Sequence, residues 1–102
     1  MTITASEHER KPRCYIAGPI AGVPDFWERF ADAVPVVEEL GYEPVNPCDI
    51  TPAVHDMRAD LRALLDCDAI YMLPGWRESR GATAEHAVAV ACGMRIYTEA
   101  DQ

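Results

Sequence analysis

Glu85 is the residue of this sequence best placed to do chemistry. It closes the segment Ser79-Arg-Gly-Ala-Thr-Ala-Glu85, which reads as a helix start directly after the most strand-like run, Ala69 to Leu73. Unpaired N–H groups and the positive helix end make Ser79, Arg80 and Gly81 a natural anion seat. The same field favours an ionised Glu85 one turn further in, and an ionised carboxylate in a pocket is a nucleophile or a base. A glutamate at that position also simply complements the helix dipole, so Glu85 alone decides nothing. Asp60 is the second carboxylate, on the polar side of an amphipathic segment with Asp56 four residues before it. Two carboxylates arriving from different helices can divide acid and base work if their surroundings separate their pKa values. Its plain alternative is a solvated charge beside Arg58 or Arg62.

Other residues carry weaker signals. Tyr15 sits inside an apolar strand, where packing is the default role of a tyrosine. Trp76 follows Pro74-Gly75 in a loop; its indole either stacks on a base or covers the end of a sheet. Gly18-Pro-Ile-Ala-Gly22 is glycine-rich but matches neither a dinucleotide fingerprint nor a Walker loop. Asp68 reads as the holder of a turn, and Asp56 and Asp66 as solvated helix charges. His8, His55 and His86 have no spacing suited to a metal, and His86 points roughly 100° around the helix from Glu85. No metal or cofactor is expected.

The elements that must position these residues alternate. Residues 1–12 form a polar tail, and residues 13–102 one domain. Arg13 to Ala17 is a strand, closed by Gly18-Pro19. Asp25 is the expected cap of a helix whose apolar face is Phe26, Phe30, Val34, Val37 and Leu40, with a kink at Pro35 and a stop at Gly41. Tyr42 to Val45 is a second strand, and Pro47 to Ala53 is rich in turns. Met57, Leu61, Leu64 and Leu65 mark a second helix, Ala69 to Leu73 a central strand. An alanine-rich helix runs through Cys92, and Met94 to Thr98 is the last strand. This β-α-β-α-β-α-β order predicts an α/β, three-layer Rossmann- or flavodoxin-like domain with a four- or five-stranded parallel sheet. Ligands of such sheets bind beyond the carboxyl ends of the strands, which puts Gly18 to Asp25, Asn46-Pro47 and Pro74 to Gly81 on the binding side.

Composition bounds the partners. A chain of 102 residues and 11.3 kDa buries about 65% of its unfolded surface, a thin core that invites a second subunit to complete a site. Seventeen acidic residues against nine basic ones give a net charge of −8, the wrong sign for a nucleic-acid polymer or an anionic membrane. A small phosphorylated ligand needs only one or two cations. Cys14, Cys48, Cys67 and Cys92 form no CxxC pair, and three of them read as buried thiols. With no apolar leader visible before Arg13, a reducing cytoplasm is the expected address.

Taken together, Tyr15-Ile-Ala-Gly-Pro19, Asp60 with Asp68 eight residues on, and Ser79 to Glu85 followed by an Ala-rich helix and Gly93 resemble the nucleoside 2-deoxyribosyltransferase family. That superfamily includes 2′-deoxynucleoside 5′-monophosphate N-glycosidases and hydroxymethyl-CMP hydrolases. The likeness covers about residues 13 to 97 and is strongest to short members, often phage-encoded. It implies that Glu85 is the nucleophile at C1′, that Tyr15 orients it, and that Asp60 assists protonation of the leaving base. It places Ser79 where the transferases grip a 5′-hydroxyl with an aspartate and the monophosphate hydrolases bind phosphate with a serine. Gly18, Asn46, Trp76, Arg80 and Gly81 are the further expected binding residues. Two departures stand out. Pro19 occupies the position of a second phosphate-binding serine, and the sequence ends at Gln102 without the fifth strand and helix that reach a neighbouring site in the glycosidases. The expected function is cleavage of the N-glycosidic bond of a nucleoside 5′-monophosphate or nucleoside, in a homodimer or larger homo-oligomer. An inactive nucleotide-binding module, for sensing or sequestering, is the alternative.

Overall fold

The computed structural model describes residues 11–50 and 56–99. Residues 1–10 of the expected tail, Thr51 to Ala53 of the turn-rich stretch, and His55 lie outside the described residues. The elements are β1 (Arg13–Ala17), α1 (Phe26–Glu39), β2 (Glu43–Val45), a single turn α2 (Pro47–Ile50), α3 (Met57–Leu65), β3 (Ala69–Met72), α4 (Arg80–Ala91) and β4 (Arg95–Thr98), with a 3₁₀ turn at Trp76–Glu78. All pairings are parallel and the order is β2-β1-β3-β4. The fold is α/β and Rossmann- or flavodoxin-like, and its sheet has four strands among the described residues.

The strand sequences set the layers. β1 and β3 are interior strands, and after the half-buried Arg13 that opens β1 their residues are apolar and buried on both faces. Cys14, Ile16, Ala69 and Tyr71 face α1, through Phe30, Ala33 and Val37. Tyr15, Ala17, Ile70 and Met72 face the other way, against Leu64 of α3 and Ala82 and Ala89 of α4. The edge strand β4 is exposed or half-exposed along its length. None of the described helices is long and apolar enough to cross a membrane.

Two helix starts depart from expectation. Asp25 precedes α1 but makes no side-chain cap; its carboxylate takes Arg29 instead, at 3.3 Å. Asp56, expected on the helix surface, stands before α3 and accepts from the N–H groups of Arg58 and Ala59. α1 runs on through Pro35. It and Ala31, whose carbonyl loses its helical partner, are both exposed, so water can take that hydrogen bond. Gly41, at φ +98°, does end the helix region as expected.

The chain turns one way from β1 to β2 and the other from β3 to β4, so the crevice of the sheet opens between β1 and β3. There the two strands leave the sheet almost touching. The Leu73 N–H donates to the Ala17 carbonyl at 2.8 Å, and a Cβ on Gly18 would lie 2.8 Å from the Leu73 Cβ. No rotamer of Leu73 relieves that contact. Gly18→Ala is therefore expected to cost about 1–3 kcal/mol, measured as a lower denaturation midpoint at unchanged m-value. A neutral substitution would mean that the two strand ends do not approach this closely.

Candidate functional site

The site is assembled from one strand and two helices. Tyr15 lies mid-way along β1 on the side facing α3 and α4, wholly buried. Its hydroxyl donates to Oε2 of Glu85 at 2.6 Å. Glu85 shares the inward stripe of α4 with Ala82 and Ala89, three and four residues away, and is 6% exposed. The two alanines let the helix lie close to the sheet, so the phenol of Tyr15 spans the gap. Asp60 comes from α3 on the stripe that also holds Leu64, and is 5% exposed. Its place on the inward side corrects the polar-side reading. With Asp56 capping the helix from outside, Met57, Asp60 and Leu64 form the face that meets the core.

Burial dominates the electrostatics. Desolvation pushes the Glu85 carboxyl up from its usual 4.5 to about 7; the Tyr15 hydrogen bond pulls it down, and the charge of Asp60 pushes it up further. Tyr15 is held well above the ordinary phenol range, first by burial and then by the neighbouring Glu85 charge. It is thus a donor and not a base. Near neutral pH the site holds a fixed donor beside a carboxylate that gives or takes a proton readily.

A cavity of about 730 Å³ opens onto this group between the ends of β1 and β3. Gly18, Asp60, Ser79, Arg80, Gly81 and Glu85 all line it. Ser79 is the N-cap of α4, its Oγ accepting from the Ala82 N–H at 3.2 Å. That leaves the serine proton to donate, beside the Arg80 and Gly81 N–H groups that a helix cannot pair internally. Tyr15 stands behind Glu85, beyond the cavity wall. Two expected binding residues are elsewhere. Asn46 accepts from the Cys48 N–H at 3.0 Å and starts α2. Trp76 is buried in the layer of α3 and α4, stacked on His86. Asp68, expected to hold a turn, instead ties down the start of β1 across the sheet, accepting from the Arg13 N–H at 2.9 Å.

Sequence reasoning missed Arg29, Met57 and Glu78 in the wall. Arg29 was detectable as the first cation after the loop that follows β1; Met57 looked like core, and Glu78 carried no signal. Cys14, Cys48 and Cys67 are buried thiols, and burial raises them to about 12, 11 and 11 respectively. They are inert as nucleophiles at neutral pH. Among the described residues no cluster of three or more His, Cys, Asp or Glu is placed to hold a metal ion.

The raised carboxyl has a consequence for stability. Folding favours protonated Glu85, so its contribution is fully present below about pH 4.5 and is lost as pH rises through about 7. Glu85→Gln stays neutral throughout. The variant should match wild type closely at pH 4.5 and exceed it at pH 8 by about 3 kcal/mol in denaturant titrations. A difference that does not vary with pH would show that Glu85 titrates in its ordinary range.

A family model described as "Domain of unknown function (DUF4406)" matches residues 12–98. No curated protein and no solved structure matches the sequence. The matched stretch takes in every element from β1 to β4 and each residue of the buried site. The chain therefore belongs to the DUF4406 family.

Proposed function

We propose that this protein cleaves the N-glycosidic bond of a nucleoside 5′-monophosphate, or of the nucleoside, with Glu85 as nucleophile. The hydrogen-bonded pair of Tyr15 and Glu85, 2.6 Å apart and buried, with Asp60 in the wall of the same cavity, is the observation that carries this reading. It agrees with the sequence resemblance to the nucleoside 2-deoxyribosyltransferase family. Tyr15 occupies one carboxylate oxygen and leaves the other to attack C1′. The C1′–N bond pair departs with the base, whose nitrogen takes a proton by way of Asp60. Water then adds at C1′, the C1′–O bond to Glu85 breaks, and the water's proton passes to Asp60. This is the double-displacement logic of retaining glycosidases, applied to a C–N bond. It draws on no cofactor.

Ser79 favours a 5′-phosphate over a bare hydroxyl. A hydroxyl donor among unpaired amides suits an oxyanion, whereas an aspartate there would repel one. Arg80, beside Ser79 in the cavity wall, adds a cation. A homodimer or larger homo-oligomer belongs to the same proposal; Leu65 and Val90, 57% and 55% exposed, are apolar surface for it to cover.

Nucleobase release from a panel of ribo- and deoxyribonucleoside monophosphates tests the proposal. Glu85→Ala should lower the rate by roughly three orders of magnitude. Equal turnover by wild type and Glu85→Ala rejects the mechanism, and tight binding of an intact monophosphate without cleavage points to a binding module instead. Tyr15→Phe removes the bond that lowers the Glu85 carboxyl, so the acid limb of its pH–rate profile should move to higher pH. An unmoved limb would separate Tyr15 from the titration of the nucleophile.

A further inference from the structure

Trp76 is 8% exposed and lies outside the cavity wall, yet it is the residue on which the loop from β3 to α4 is built. Its ring stacks on that of His86, with centroids 4.3 Å apart and planes at 27°. The guanidinium carbon of Arg77 lies 4.7 Å from the Trp76 ring centroid. The indole N–H has no hydrogen-bond partner among the described residues, so the ring is held by its faces. Its backbone is tied equally closely. The Trp76 N–H donates to the Leu73 carbonyl, and the Trp76 carbonyl accepts from the Ser79 N–H at 3.0 Å. Gly75, at φ +85°, supplies the left-handed residue that lets the chain double back so sharply.

These contacts form a closed circuit. The Trp76 backbone fixes Ser79, the Ser79 side chain caps α4 at Ala82, and α4 carries His86, which grips the Trp76 ring. His86 is the neighbour of Glu85 but leaves the helix in another direction, so the clamp holds the flank of α4 without entering the cavity. We propose that Trp76 and His86 are positioning residues that hold Ser79 and the first amides of α4 in register for a ligand phosphate, at a fixed offset from Glu85. The phosphate part of this proposal rests on the nucleotide-cleaving function proposed above. A ring that merely filled the core would be replaceable by any apolar side chain of similar volume. A clamp requires a flat face on both sides.

Kinetics of full-length His86→Leu and His86→Phe test the difference, with the substrate being whichever of the four common 2′-deoxynucleoside 5′-monophosphates wild type cleaves fastest. Inorganic phosphate and the corresponding deoxynucleoside serve as competitors. His86→Leu is expected to raise KM and the inhibition constant of phosphate about tenfold, with kcat within about twofold of wild type and the deoxynucleoside constant unchanged. His86→Phe should restore both constants. Equal changes toward phosphate and deoxynucleoside, or none, overturn the proposal. Amide deuterium exchange reads the positioning without any ligand. Ser79 to Thr83 should exchange faster in His86→Leu and at the wild-type rate in His86→Phe. A wild type inactive on every monophosphate overturns the nucleotide role and the phosphate claim with it, whereas unchanged exchange at Ser79 to Thr83 overturns the clamp itself.

Discussion

A carboxylate buried against a phenol is the constraint around which this small fold is arranged. Removing an unpaired carboxylate from water is costly enough that the group normally takes up a proton instead. The Tyr15 hydroxyl lowers that cost by offering a charge-assisted hydrogen bond at 2.6 Å. For the two to meet, β1 must be an interior strand with its odd-numbered face toward α4. The parallel register supplies this, with Tyr15 opposite Val45 on one side and Ile70 on the other. A slip of one residue would turn Cys14 or Ile16 toward the helix and leave Glu85 without its donor. The pattern that buries the core therefore also fixes the Tyr15–Glu85 pair.

The second constraint is the reversal of strand order between β1 and β3. Helices leave these two strands on opposite faces of the sheet, so a crevice opens at their carboxyl ends without any added domain. Gly18 and Leu73 close its floor by direct contact, and the first turn of α4 and the inward stripe of α3 form walls. Each catalytic candidate sits on a regular element, and Ser79 closes the loop that leads from β3 into α4. A chain this short builds a cavity by using the one place where parallel-sheet topology leaves a gap.

Much of this was legible in the sequence, because the signals were periodic or forced. The strand and helix alternation gave the topology, and Ser79 before an alanine-rich run marked the cap. The three-and-four spacing of Ala82, Glu85 and Ala89 puts Glu85 on the helix face that the structure buries. What was not legible depended on tertiary packing. Trp76 in a loop after Pro-Gly looks the same whether its ring faces a ligand or a helix, and the partner that decides, His86, is ten residues away. Asn46 is at the right end of β2, but its side-chain Oδ1 is engaged by the Cys48 N–H, a local choice open to any asparagine before a helix. Asp25 had the position of a cap and found Arg29 instead. Asp60 shares a polar side with Asp56 only if Asp56 belongs to the helix; Asp56 instead precedes and caps it, and Asp60 turns inward.

The proposed function requires a chain with a net charge of −8 to hold an anion near two buried carboxylates. Total charge acts weakly over distance in salt, and fields within a few ångströms dominate. Along α4 the anion seat and Glu85 are separated by the rise from Ser79 to residue 85, about 9 Å. On the proposed function, that spacing would put a phosphate at the positive helix end and Glu85 more than a turn further in, where the dipole is already weak. A phosphate bound closer to Glu85 would raise its carboxyl further and silence it. One bound further out would leave C1′ beyond reach. One helix whose cap and carboxylate are six residues apart meets both requirements of the proposed reaction, through the Ser79 cap at one end and the buried Glu85 at the other.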